Sequence, residues 1–116
     1  MDIRKVQEFH DQFCNDRDWG KYHTPKNLAM ALNGEAGELI EIFQWLSPEE
    51  SWKVMETSKT AEMIRDELAD VLIYTARLAH LLKVDLEDAV WAKFKKNEVK
   101  YPVHLAKGNA KKYTDL

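Results

Sequence analysis

Apolar residues recur along this chain at helical rather than alternating spacing, and four stretches carry the pattern. The first, near Ile3 to Asn15, sets Ile3, Val6, Phe9, His10 and Phe13 on one side. It ends in a polar turn around Arg17-Asp18-Trp19-Gly20. The second opens at Thr24-Pro25, a hydroxyl N-cap followed by proline at the first helical position. It runs through Leu28, Leu32, Leu39 and Ile42 to about Trp45. Ser47-Pro48-Glu49-Glu50 repeats that start signal and predicts a short helix in a connection reaching Ser58. The third helix covers roughly Thr60 to Leu82. The fourth starts at Asp85, with Asp88 three residues on resembling a capping box, and runs to about Asn97. Residues 99–116 contain Pro102, Gly108 and Asn109 without a sustained period, which predicts an extended tail packed on the body or on a neighbouring subunit. With no internal repeat or boundary, the expectation is one all-α domain over 1–116. Its helical body (about 2–98) is a four-helix, bundle-like protomer, because each amphipathic face must be buried against another helix.

Composition narrows the class. Apolar residues make up 45% and charged ones 32%, with four Gly and three Pro, which excludes disordered and collagen-like chains and argues against a turn-rich all-β fold. The formal charge of −3 leaves no global basic field to collect a nucleic-acid polymer or an anionic membrane. A single cysteine, Cys14, cannot form an intramolecular disulfide, which fits a reducing compartment. The N-terminus has no apolar signal core, and the greasy stretch from Leu68 to Leu82 is broken by Asp70 and Arg77 and too short to span a bilayer. A cytoplasmic protein is expected.

One feature of the hydrophobic pattern is anomalous. At about 100° per residue, Leu28, Leu32, Leu39, Ile42 and Leu46 fall within about 60° of Glu35, so Glu35 sits mid-stripe and Glu38 on its edge. The third helix repeats this. Met63, Ile64, Val71, Tyr74 and Leu78 surround Glu67, with Asp70 on the edge. Leu68, Leu72 and Ile73 make that helix apolar nearly all round, hence central. An acidic i, i+3 pair on a solvated face is ordinary, and either pair alone carries little. Two pairs centred on apolar stripes are different, because inward carboxylates must be protonated or met by cations. Arg65 and Arg77 lie away from Glu67 or at the margin of its face, so a divalent metal is the economical partner. All four donors are hard oxygens and no Glu-x-x-His occurs, which disfavours zinc and di-iron and favours Mg²⁺, with Mn²⁺ as an alternative. Mg²⁺ so held keeps waters and binds substrate phosphates, so phosphate chemistry is the leading inference.

The run Gly34-Glu35-Ala36-Gly37-Glu38, followed by Asp66-Glu67-Leu68-Ala69-Asp70, resembles the paired acidic motifs of the MazG-like, all-α nucleoside triphosphate pyrophosphohydrolases. The likeness is closer to the dCTP pyrophosphatase branch. It extends through Arg17-Asp18-Trp19, His23 to Leu28, Phe43-Gln44-Trp45 and the tail segments Tyr101 to Leu105 and Lys112 to Leu116. The resemblance implies hydrolysis of a deoxynucleoside triphosphate, dCTP favoured, to the monophosphate and pyrophosphate with Mg²⁺. It implies metal ligation by Glu35, Glu38, Glu67 and Asp70, and a homotetramer whose sites are completed across a subunit interface. Lys26 departs from the Arg often found there, making any phosphate contact a point charge rather than a fork.

Roles follow residue by residue. Glu38, at the stripe's edge, is the candidate for orienting the attacking water. Lys93 and Asn97 are an i, i+4 pair on the fourth helix; a surface Lys and a helix-ending Asn is the plain account, and the resemblance favours phosphate and hydroxyl or base contacts. Tyr74, one turn past Asp70, can stand beside the metal and touch sugar or phosphate, or be a core tyrosine. Trp19 and Trp45 resemble the branch's base-stacking residues. His10 lies on an apolar stripe, where a histidine is usually a satisfied core residue; with the resemblance, a hydrogen bond to the base is implied. His23 is a further base-side candidate. Trp52 and Trp91 are assigned to packing, and His80 points away from the carboxylates. Two competing functions stay open. One is a non-catalytic oligomerisation module holding a structural cation; the other is the same chemistry on another dNTP, such as dATP.

Overall fold

The structure, a computed structural model describing residues 1–116, is all-helical and contains no strand. Its helices are α1 (Ile3–Asp16), α2 (Pro25–Phe43), α3 (Pro48–Ser51), α4 (Ser58–Leu81), α5 (Leu86–Lys100) and α6 (Val103–Ala106). Single 3₁₀ turns occupy Gly20–Tyr22 and Tyr113–Asp115. Two compact units result, Met1–Lys83 and Val84–Leu116.

The helix starts are where local chemistry put them. The Thr24 hydroxyl accepts from the Asn27 N–H at 3.2 Å, with Pro25 in the first turn. Ser47 and Glu50 close a full capping box, 3.1 Å one way and 3.0 Å the other. At Asp85 only the forward half forms, from the Asp88 N–H at 3.0 Å. The end of α1 is a Schellman motif. The Trp19 N–H reaches the Cys14 carbonyl (2.9 Å), the Asp18 N–H reaches that of Asn15 (3.2 Å), and Asp18 takes the left-handed conformation at φ 55°. That reversal turns Trp19 back against the helix it has just left, where it meets Phe13 edge to face, ring centroids 5.7 Å apart.

In the first unit α4 is central, packed against both α2 and α1. Cys14, Leu28, Ala61, Ile64, Ala76 and Ala79 form the buried core, the alanines providing room where α4 meets its neighbours. The core of α1 centres on Cys14 rather than on the aromatic stripe: Phe9, expected to face inward, is 74% exposed. In the second unit the helix outlasts its expected end by three residues, reaching Lys100. The tail is not wholly extended. It forms the short α6 and folds so that Tyr101 meets Tyr113 edge to face at 6.2 Å, with the Lys100 ammonium over the Tyr113 ring. Trp52 and Trp91, assigned to packing from sequence, are 88% and 61% exposed; each sits on a segment that presents it to solvent in the single chain. No helix is long and apolar enough to cross a membrane.

Candidate functional site

Glu35 and Glu38 project from one face of α2, as i, i+3 spacing requires, and Glu67 from the facing side of α4. One carboxylate oxygen from each lies within 4.8 Å of the other two. No lysine or arginine forms an ion pair with them. Glu35 Oε2 and Glu67 Oε2 are buried and have no hydrogen-bond partner. Burial, first, pushes the Glu35 carboxyl up; the carboxyls of Glu38 and Glu67 and the charge of Asp70 push it further, to about 7. Glu67 is also raised, by burial and then by Glu38, while Glu35 works the other way. Three acids this close hold a proton among them or accept a cation.

The donor set fits a hard divalent ion: carboxylate oxygens only, two of them buried and orphaned, gathered from two rigid helices. Asp70 stands one turn along α4 and outside this tight trio. Its charge is felt by Glu35, Glu67 and Tyr74. Beyond the trio, Glu38 and Glu67 also line an open cleft of about 490 Å³ with Glu41, Ile42 and Met63. Glu41, three residues past Glu38, extends the acidic row by one more turn of α2 and was not singled out from sequence, although its spacing shows it.

On the other side of Asp70 opens a cleft of about 500 Å³ between α1 and α4. Val6, Phe9, Phe13 and Trp19 form one wall, Ile73 and Tyr74 the other, with Lys5, His10, His23 and Asp70 as polar groups at its edges. A flat apolar slot with a few polar atoms suits a planar heteroaromatic ring. Phe9, exposed as a core residue, makes sense as a wall of this slot. Burial, followed by the nearby charge of Arg77, lowers both His10 and His23 from the ordinary histidine value. Burial, then Glu35 and Asp70, raises Tyr74.

The structure thus brings together Glu35, Glu38 and Glu67, and separately His10, Trp19, His23, Asp70 and Tyr74. Lys26, in the exposed first turn of α2, and Trp45, 87% exposed just past its end, line neither cleft. Lys93 and Asn97 lie on α5, in the second unit.

Sequence reasoning missed the polar group behind the slot. Arg77, only 5% exposed, donates from Nη1 to Asp11 Oδ1, and His80 Nε2–H donates to Asp11 Oδ2 at 2.7 Å. Arg77 Nε also donates to His23 Nδ1, 3.2 Å away. The i, i+3 spacing of Arg77 and His80 was visible; their partner, 66 and 69 residues away, was not.

Comparison with known proteins agrees with the acidic pattern. The family model described as MazG-like matches residues 30–116. The chain is 43% identical to the dCTP pyrophosphatase 1 of Bos taurus over 114 residues, spanning 98% of this chain and 68% of that protein. The Mus musculus protein of the same name is 45% identical, spanning 98% of this chain and 67% of its own length. Among solved structures, a pyrophosphatase from Archaeoglobus fulgidus superposes with a TM-score of 0.80 at 41% identity, covering 88% of this chain and 94% of that one.

Proposed function

The chain belongs to the MazG-like family, and from that premise we propose that it is a nucleoside triphosphate pyrophosphohydrolase acting on deoxynucleotides, dCTP favoured. The observation that carries this reading is a single juxtaposition. An acidic trio with two orphaned oxygens lies near an apolar, aromatic slot, and Asp70, which lines the slot, stands outside the trio but acts by its charge on Glu35 and Glu67. A triphosphate with a planar base has those two needs, a cation at one end and a stacking surface at the other.

In this reading the slot takes the base and sugar, with Trp19 and Phe13 supplying aromatic wall and Tyr74 reaching the sugar or phosphate side. Glu35, Glu38, Glu67 and Asp70 would hold Mg²⁺, or Mn²⁺ in its place. When bound, the ion neutralises phosphate oxygens and lowers the pKa of a coordinated water. Glu38, the most exposed of the trio, orients a water toward the α-phosphorus. The oxygen of that water forms the new bond, the bond from the α-phosphorus to the bridging oxygen breaks, and pyrophosphate leaves beside the monophosphate.

The whole of 1–116 acts as one domain in a four-helix, bundle-like protomer of a cytoplasmic homotetramer. Support for association is the apolar area a lone chain leaves open: Trp45 is 87% exposed, Met30 64%, Ile40 61% and Phe94 53%. Lys26, Trp45, Lys93 and Asn97 keep their proposed substrate roles within such an assembly. The test is pyrophosphate release from each dNTP with Mg²⁺. Turnover of dCTP above the others, lost in Glu35→Gln, supports the proposal. Thermal stabilisation by Mg²⁺ with no turnover of any nucleotide would instead identify an oligomerisation module holding a structural cation. Preference for dATP would keep the chemistry and change the substrate.

A further inference from the structure

Behind the slot, polar side chains pair with one another in a chain whose direction is fixed by chemistry. A guanidinium carries donors and no acceptor, and it stays charged at any ordinary pH. Because Arg77 Nε donates to His23 Nδ1 at 3.2 Å, that nitrogen must present its lone pair. The buried Cys14 thiol, 3.7 Å from the same nitrogen and kept protonated chiefly by burial, is a second donor aimed at it. A neutral imidazole with a bare Nδ1 carries its one proton on Nε2, across the ring from Arg77. His23 Nε2 has no partner in the protein and is not sealed from solvent, and His23 lines the slot.

The backbone holds this histidine in place as well. Its N–H donates to the Gly20 carbonyl at 3.1 Å, and Thr24 next to it caps α2. The anchor of Arg77 is in turn double: Asp11 takes the guanidinium on one oxygen and His80 Nε2–H on the other. His10, Cys14 and His23 lie close enough to suggest a soft-metal site. The guanidinium on His23 Nδ1, however, sets a fixed positive charge beside any cation there, which argues against a metal; Cys14 and His23 are hydrogen-bonded, while His10 Nδ1 is buried without a partner.

Resting on the pyrophosphohydrolase reading, we infer that Arg77 is a positioning residue acting through His23. By occupying Nδ1 it fixes the imidazole proton on Nε2, and the slot thereby offers an N–H donor to an acceptor atom on the edge of the bound base. Asp11 and His80 hold the guanidinium that does this. A cytosine-type edge, with a carbonyl oxygen next to an unprotonated ring nitrogen, can take such a donor at either atom. A thymine-type edge puts an N–H where that ring nitrogen would be, so a donor aimed at that position meets another donor and can be taken only by the carbonyl oxygens on either side.

Long-range ¹H–¹⁵N spectra of the imidazoles, recorded on the full chain without nucleotide, test the first step. A pyridine-type Nδ1 and a protonated Nε2 at His23 are expected; a protonated Nδ1, or two tautomers in exchange, overturns the inference. Adding dCMP should move the His23 Nε2 resonances, and no movement at saturation overturns the contact. Arg77→Met should release the tautomer and raise KM for dCTP about tenfold with kcat within about twofold. Arg77→Lys, which keeps a donor, should recover part of that loss. An Arg77→Met protein that is folded, shows exchanging tautomers and keeps its KM also overturns the inference. The wild-type spectra and the dCMP titration stand even if the variant does not fold. Because they need no turnover, a chain that hydrolyses no dNTP would refute the proposed function alone.

Discussion

Two polar clusters flank α4, and they solve the cost of buried charge in opposite ways. On the α1 side, Asp11, Arg77 and His80 are paired donor to acceptor, with Arg77 almost fully enclosed. On the α2 side, Glu35, Glu38 and Glu67 face one another with like charge, and two buried oxygens have no partner. The first cluster is complete as folded, so its charge is architecture. The second is incomplete, and an incomplete cluster of acids on two rigid helices is where something from outside the chain belongs. Their responses to acid differ in the same sense. Burial pushes Asp11 up, but the hydrogen bonds from His80 and Arg77 together outweigh it and leave the carboxyl below its ordinary value. Glu35 is driven up to about 7.

The largest expected effect falls on the incomplete cluster. Glu35→Gln or Glu67→Gln should cost at least about a hundredfold in kcat, measured as pyrophosphate release, because a charge aimed at the reacting end is gone. The same substitutions should raise the melting temperature of the metal-free protein, since they relieve repulsion. A metal-free Glu35→Gln protein that melts lower than wild type would show that the trio is not strained as described.

Next in size, Asp11→Ala should destabilise by about 2 kcal/mol in urea unfolding. It strands the enclosed guanidinium, and the figure is set below that of a fully buried pair because Asp11 itself keeps some solvent contact. Asp11→Ala and Glu35→Gln should therefore move stability in opposite directions, which is the sharpest form of the contrast.

The pH response comes third. A carboxyl with a folded pKa near 7 and an unfolded one near 4.5 binds more protons when folded, so Glu35 makes the metal-free protein lose stability as pH rises from about 4.5 to 7. Asp11 has the opposite sign. Its contribution is present above the unfolded carboxyl range and fades as pH falls through its lowered pKa. Because a cation must displace the proton on Glu35, apparent Mg²⁺ affinity by calorimetry should rise up to about tenfold per pH unit below 7 and level off above it. A flat profile across that range would remove Glu35 from the ligand set.

The smallest effect is expected at Gly34, beside the acidic pair in mid-helix, where an added Cβ meets no atom of the chain. Gly34→Ala should stabilise α2 by about 0.5–1 kcal/mol. If it does so and turnover nonetheless falls, the space beside the trio is needed by substrate or by a second subunit.

What could be read from sequence was whatever depends on neighbours within a turn or two. Thr24-Pro25, Ser47 with Glu50, and Asp85 mark helix starts because a cap bonds three residues ahead. Glu35 and Glu67 declared themselves by standing mid-stripe, since rotation per residue fixes which face a side chain shares. The same logic misjudged Phe9 and passed over Cys14, because a stripe does not say which of its edges the neighbouring helix will cover. Nor could it foresee that Asp70 would stand apart from the other three acids and border the slot instead. From sequence Arg77 was placed only by its angle from Glu67, away from that face or at its margin. Only the packing of α1 on α4, which brings Asp11 across 66 residues of chain, made it the buried donor to His23. Local periodicity and capping are written in short-range geometry; the pairing of charges between helices is decided when the faces meet, and there the desolvation of each group selects the partner it must have.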